Sequence, residues 1–228
     1  MTDAYTLALD GSTYQGSVAL LRRSEVVAER TLKDEDGGSP RAGRGERLMP
    51  AIADCLRDAA VERGEIARIV CGSGPGSFTS LRVAGSVAKG LAAGYGIDLC
   101  AVSSLLLIVT GARPPLPSGE YLSVLDAMRG EFYAARIALH HGVANQIEAP
   151  RIISTALLEE LRAADYMLKV IGPDQQIDAH PHARGVASLL ETVIAKGPVD
   201  LAAWEPDYGR LAKAQVRWEA AHGRKLAT

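Results

Sequence analysis

Apolar residues near the start of the chain fall in short bursts with alternating polar neighbours and later settle into helical spacing, so the pattern predicts strands feeding helices. Thr6 to Leu9 reads as an apolar strand running into Asp10-Gly11-Ser12-Thr13, and Ser17 to Leu21 returns after a turn carrying Gly16, which predicts a hairpin. Val26 to Leu32 alternates as an antiparallel strand with one wetter face does. Gly37, Gly38, Pro40, Gly43 and Gly45 then stand among charges, predicting a mobile loop over 34–45. From Glu46 to Arg63, Leu48, Ile52, Leu56 and Ala59 recur at helical spacing, with a distortion expected at Pro50 and a stop at Gly64. A strand from Ile66 to Cys71, a Gly-rich turn, a helix from about Thr79 to Gly94, a strand from Leu99 to Val102 and a helix from Ser104 to Gly111 complete a layered α/β lobe.

Three prolines between Arg113 and Ser118 suggest a bridge, after which the same grammar restarts. Tyr121 to Leu125 ends in Asp126-Ala127-Met128-Arg129-Gly130, and Phe132 to Leu139 returns, echoing the opening strand, acid, turn and strand. A strand around Ile147 to Ile153, a helix from Thr155 to Ala164, a strand from Leu168 to Gly172 and a helix from Ala183 to Lys196 follow. The expected organisation is a first lobe over 1–112, a smaller second lobe over 113–204 and a tail over 205–228.

Composition narrows the function classes. The chain has 228 residues, 47% hydrophobic and 23% charged, which is enough to bury a core. Its 25 basic and 27 acidic side chains leave a net charge of -2, so no global field draws in nucleic acid, and RNA contact would be local or made by a partner. The start Met1-Thr2-Asp3-Ala4-Tyr5 lacks a signal-peptide pattern, and the longest apolar run, Leu105 to Val109, is too short to span a bilayer, so a cytoplasmic protein without a membrane role is expected. Cys55, Cys71 and Cys100 lack metal-site or disulfide spacing and read as buried thiols.

The turn Gly72-Ser73-Gly74-Pro75-Gly76-Ser77-Phe78-Thr79-Ser80 joins a strand to a helix N-terminus, the setting of a phosphate cradle. It lacks the Lys of a Walker motif and the third Gly of a dinucleotide fingerprint, so a structural turn capped by Ser77 or Thr79 competes with an anion or partner site. The helix beyond it is almost bare of bulk, with Ala84, Gly85, Ser86, Ala88, Gly90, Ala92, Ala93 and Gly94, and only Arg82 and Lys89 charged. Each helical Gly costs about 1 kcal/mol relative to Ala, which close packing must offset, whether against the chain itself or another subunit. Replacing Gly85 or Ala88 by Arg is expected to abolish association while leaving the monomer folded. His140, His141, His180 and His182 lack zinc-site spacing and are expected in solvent or loops. Asp10 and Asp126, at corresponding turns, are the acids that would hold Mg beside phosphates in a small-molecule kinase, the alternative reading, although Asp is also an ordinary turn residue.

Gly74-Pro75-Gly76-Ser77-Phe78-Thr79-Ser80-Leu81-Arg82 followed by Ala88-Lys89-Gly90-Leu91-Ala92 resembles the signature of the TsaB (YeaZ) family. Leu9 to Thr13, Glu46 to Pro50, Val102 to Leu105, Asp126 to Ala134 and Glu205 to Tyr208 match in family order. The resemblance implies a two-lobed α/β actin-like ATPase fold (the sugar kinase, Hsp70 and actin superfamily) with a reduced second lobe. It also implies a non-catalytic subunit that pairs with a TsaD-like catalytic subunit and a TsaE-like ATPase to place threonylcarbamoyl on the adenosine beside the tRNA anticodon. On that reading the chain forms homodimers, meets tRNA only through the complex, and requires no cofactor or metal of its own, ATP and metal residing on partners. Ser77, Phe78, Thr79, Leu81, Arg82, Val83, Gly85, Ser86, Val87 and Lys89 are the implied partner and dimer interface, with Asp10, Ser12 and Asp126 as a vestigial nucleotide site. Three departures stand out: Ser80 where the family often has Gly, Arg44 where it has His, and Gly209 where Leu commonly follows Tyr208. The tail from Arg210 to Lys225 is locally basic and reads as a solvated helix.

Overall fold

The computed structural model describes residues 4–32, 47–165 and 167–209. The expected loop over 34–45, Arg44, Glu46 and the basic tail beyond Gly209 lie outside the described residues. Strands β1 (Tyr5–Asp10), β2 (Ser17–Arg22) and β3 (Glu25–Thr31) precede helix α1 (Leu48–Asp58). Then come β4 (Ile66–Gly72), α2 (Phe78–Tyr95), β5 (Asp98–Val102) and α3 (Ser104–Thr110). The second half contains β6 (Gly119–Asp126), β7 (Glu131–His140), β8 (Val143–Gln146), β9 (Arg151–Ser154), α4 (Thr155–Ala164), β10 (Lys169–Gly172), β11 (Ile177–Asp178) and α5 (Val186–Lys196).

The first sheet runs β3-β2-β1-β4-β5, antiparallel through β3, β2 and β1 and parallel through β4 and β5. The second runs β11-β10-β6-β7-β8, with β9 also pairing with β7. Read from β8 to β11 and leaving β9 aside, its order is third, second, first, fourth, fifth, the plan of the first sheet, with the same change from antiparallel to parallel at β6. This repetition is the two-lobed actin-like ATPase fold. The second lobe is reduced at a definite place: a turn joins β10 to β11 where α2 joins β4 to β5.

The period-2 patterning assigns each strand face to a layer. Leu7, Leu9, Val18, Leu20, Ile69 and Cys71 pack with α1 and α2 on the outer face of the first sheet. The intervening Ala8, Ala19, Leu21 and Val70 face a central core that holds α3, α5 and the inner face of the second sheet, including Tyr121, Leu125, Ala135 and Ile137. Leu122, Val124, Ala134 and Val170 point outward to Leu158 of α4. The layers therefore run helix, sheet, helix, sheet, helix, and the two lobes share their middle.

Several boundaries differ from expectation for local reasons. Pro50 lies in the first turn of α1, where its missing N–H has no intrahelical partner to lose, so it causes no break. The helix stops at Asp58 because Ala60 takes a left-handed φ of 52° and the Val61 amide closes back on Leu56 O at 2.9 Å. Of the strand expected around Ile147 to Ile153 only the end forms, as β9; residues 147–150, which include Pro150 with no N–H to donate, lie outside any strand, and β8 precedes the expected range. After α5 the chain crosses back to the first lobe: the Val199 amide donates to Leu99 O at 2.8 Å, and Val199, Leu201 and Trp204 pack against the outer core of the first sheet. No helix among the described residues is long and apolar enough to cross a membrane.

Candidate functional site

Asp10 ends β1 fully buried. One carboxylate oxygen accepts from the Ser12 amide at 3.0 Å and the Ser12 hydroxyl at 2.7 Å, and the other accepts from the Ser104 hydroxyl at 2.7 Å. Ser104 in turn accepts from the Gly74 amide at 3.1 Å, tying the β1–β2 turn to the Gly-rich loop and the start of α3. Burial pushes the Asp10 carboxyl above its ordinary range, while the hydrogen bonds from Ser104 and Ser12 pull it down. Gly72 belongs beside this carboxylate, since a Cβ there would collide with it. Asp126, at the matching turn of the second lobe, is exposed and accepts from the Met128 amide at 2.7 Å. The two acids thus share a sequence setting and differ in surroundings.

The loop that resembles a phosphate cradle has turned its donors inward. The Ser77 amide donates to Ser12 O at 2.7 Å and the Ser73 amide to Val102 O at 2.7 Å, while Ser104 takes the Gly74 amide. Gly76 sits so close to the Ser12 carbonyl that a side chain there would overlap it. Ser77 is the residue before α2, yet its hydroxyl meets the Ser80 hydroxyl at 3.1 Å and caps no amide. Three amides of the loop, those of Ser73, Gly74 and Ser77, are thus taken by Val102 O, Ser104 Oγ and Ser12 O and are not free to meet a phosphate.

Helix α2 carries two different faces. Leu81, Ala84, Gly85, Ala88 and Ala92 are buried. Phe78, Thr79, Arg82, Ser86, Gly90, Ala93 and Gly94 are exposed, with Val83, Val87 and Lys89 half-buried between them. Gly85 lies under the returning C-terminal segment, where a Cβ would stand 3.0 Å from Pro206 Cγ and 3.6 Å from the Trp204 ring. The expectation that Arg at Gly85 or Ala88 leaves the monomer intact is therefore corrected: both positions face filled space, and Ser86 is the exposed position at which to test this helix. Lys89 Nζ donates to Trp204 O at 3.0 Å. The Arg82 guanidinium lies 4.2 Å above the Phe78 ring and 5.6 Å from the Tyr208 ring, and the two rings are 4.6 Å apart.

Sequence reasoning missed Ser104 as the partner of Asp10, the C-terminal segment as the cover of α2, and His182. Glu205-Pro206-Asp207-Tyr208 was legible as a motif, but nothing local revealed where it would land. His182 lies in a loop, as one of the two expectations had it, but is buried there: its Nδ1 accepts from the Arg184 amide at 3.1 Å and its Nε2 meets Thr31 Oγ1 at 3.0 Å. Among the described residues no three His, Cys, Asp or Glu side chains gather as a metal site would require. The three cysteines are buried and unpaired, and burial pushes the Cys55 thiol up to about 11.

The profile of the family described as "TsaD: tRNA N6-adenosine threonylcarbamoyltransferase" matches residues 26–179. The chain is 29% identical over 229 residues to the tRNA threonylcarbamoyladenosine biosynthesis protein TsaB of Bacillus subtilis, spanning 93% of this chain and 96% of that protein. Against the protein of the same name from Escherichia coli it is 33% identical over 129 residues, spanning 57% of this chain and 53% of that one. The structure of YeaZ from Pseudomonas aeruginosa superposes with a TM-score of 0.73 at 26% identity, covering 90% of this chain and 99% of that chain. A second structure, described as an uncharacterized protein with similarity to peptidase YeaZ from Pseudomonas aeruginosa, gives 0.75 at 25% identity, covering 91% and 100%.

Proposed function

Because the chain belongs to the TsaD family and, within it, to the TsaB (YeaZ) group, we propose that it serves tRNA threonylcarbamoyladenosine biosynthesis as a non-catalytic subunit that presents the open face of α2 to a TsaD-like catalytic subunit. The observation that carries the non-catalytic part is the Gly-rich loop closed on itself, with the Ser12 carbonyl taking the Ser77 amide and Asp10 sealed beneath it. A loop that cradles phosphate needs free amides, and an acid that holds a hydrated metal beside it needs to reach solvent; the Ser73, Gly74 and Ser77 amides and Asp10 offer neither. The partner part is supported by the exposed run of Thr79, Ser86, Gly90, Ala93 and Gly94, which allows another backbone to come close. ATP and metal then belong to the TsaD-like and TsaE-like partners, tRNA meets the assembled complex, and the same helix serves self-association in a homodimer.

Co-purification with a TsaD-like subunit, followed by reconstitution of tRNA modification with and without this chain, tests the proposal. Modification is expected only when this chain is present. Equal modification by the partners alone overturns it, and tight binding of Mg-ATP by the isolated chain, read by calorimetry, overturns its non-catalytic part.

A further inference from the structure

We infer that the C-terminal strap, residues 197–209, is a built-in half of the partner-facing surface: it fills the small-residue groove of α2 from within the chain and adds Tyr208 to Phe78 and Arg82 on the open side. The inference rests on the reading that α2 meets the catalytic subunit. Small residues on a helix normally invite another backbone, and here the visitor is already seated. Pro206 and Trp204 lie over Gly85, and Lys89 holds the Trp204 carbonyl at 3.0 Å. The Asp207 amide donates to Ser73 O at 2.7 Å, and the Asp207 carbonyl rests on Gly74, whose φ of 89° favours glycine.

The far end of the strap is pinned in the other lobe. The Tyr133 hydroxyl of β7 donates to Tyr208 O at 3.0 Å. Gly209 has φ 66° and lies against the Tyr133 ring where a side chain would collide, which accounts for a glycine at this departure from the family pattern. Between the two pins the Tyr208 ring is presented to Phe78 and Arg82. Phe78 is 37% exposed, so this stack is a surface feature whose shape depends on the strap. A guanidinium fixed over two rings loses less rotamer freedom when a partner docks, and that pre-organisation favours binding without any added contact.

Gly85→Val sets a branched side chain against Pro206 and Trp204 and tests the inference directly. The variant is expected to expose the strap to limited proteolysis, to shift Trp204 emission to the red in a Trp218→Phe background, and to lose capture of the TsaD-like subunit by about tenfold or more. Tyr208→Ala is expected to keep the strap protected and to lose capture by a smaller factor. Capture that is unchanged or tighter once the strap is released overturns the inference. Should Gly85→Val fail to fold, Tyr208→Ala and Trp204→Ala decide, and unchanged capture in both overturns it. Ser86→Arg, on the exposed face, reports on the parent reading alone: normal capture by that variant removes the α2 interface itself, whereas strap release is read without any partner.

Discussion

Asp10 and His182 show how little a residue's type says about its work until its neighbours are known. An acid at a strand end, followed by a small-residue turn, suggests a metal or phosphate ligand, and that much is visible in the chain. Nearby Ser12 supplies an amide and a hydroxyl and Ser104, far away in sequence, a second hydroxyl, and together they make the carboxylate a buried acceptor. Asp10→Asn keeps the shape and the oxygen that serves Ser12 but sets an NH2 against the Ser104 hydroxyl, and it is expected to retain partner capture at a cost of about 1–2 kcal/mol. Asp10→Ala strands those donors and is expected to cost about 2–4 kcal/mol, read from urea denaturation. Loss of capture in a well-folded Asp10→Asn would instead point to a ligand role.

His182 gives the pH dependence. Burial lowers its pKa from 6.5 to about 3, helped by the positive charges of Arg184 and Arg113. Because Nδ1 accepts from an amide, the neutral ring carries its proton on Nε2, toward Thr31. The unfolded chain binds a proton below pH 6.5 that the folded chain refuses, so stability is full above that value and falls as pH drops toward 3. The expected slope from this group is about 1 kcal/mol per pH unit in that window. His182→Gln should flatten the difference between denaturation midpoints at about pH 7.5 and about pH 5, and an unchanged difference assigns the acid sensitivity to other groups. Nothing in His180-Pro181-His182 announces that one histidine is buried, since burial here depends on β3 and α3 meeting the segment before α5.

At the scale of elements, the strands were the easiest to read because each uses its two faces for different cores, and period 2 survives in the sequence as Leu7, Ala8, Leu9 or Val18, Ala19, Leu20. The edges were harder. β11 has two residues and no pattern of its own, and it exists because β10 offers it a parallel partner. Helix α2 was legible as small and nearly uncharged, but while its sheet covers Ala84, Ala88 and Ala92, the cover over Gly85 comes from a strap that arrives from the other end of the chain. The open face makes a clean prediction. Gly90 has nothing within 4 Å of where a Cβ would stand, so Gly90→Ala should stabilise the isolated chain by about 0.5–1 kcal/mol, seen as a higher denaturation midpoint. The same methyl group on a face used for close approach should weaken capture of the partner severalfold. Stabilisation with undiminished capture would mean that the partner does not come near this turn of the helix.

For the whole molecule, the repeated strand order suggests two units, yet the packing makes one. The central core joins Ala8, Ala19 and Leu21 of the first sheet to Tyr121, Leu125 and Ile137 of the second through α3, of which Leu105, Leu107 and Ile108 are fully buried. Polar ties cross the same boundary: Glu29 of β3 pairs with Arg184 at 2.9 Å and Arg113 at 2.7 Å, and the Ala183 amide donates to the Ser17 hydroxyl at 2.9 Å. An enzyme of this fold that closes on nucleotide must let its lobes move, whereas a subunit that offers a fixed surface gains from holding them together. Unfolding should therefore be one cooperative transition, with near-ultraviolet dichroism and tryptophan emission tracing the same curve. Leu105→Ala, which removes a side chain shared by both lobes, should lower stability by about 2–5 kcal/mol while keeping the transition single. A split into two transitions, or loss of structure in only one lobe, would show that the lobes are independent, and the strap would then have to act alone in fixing α2 against β7.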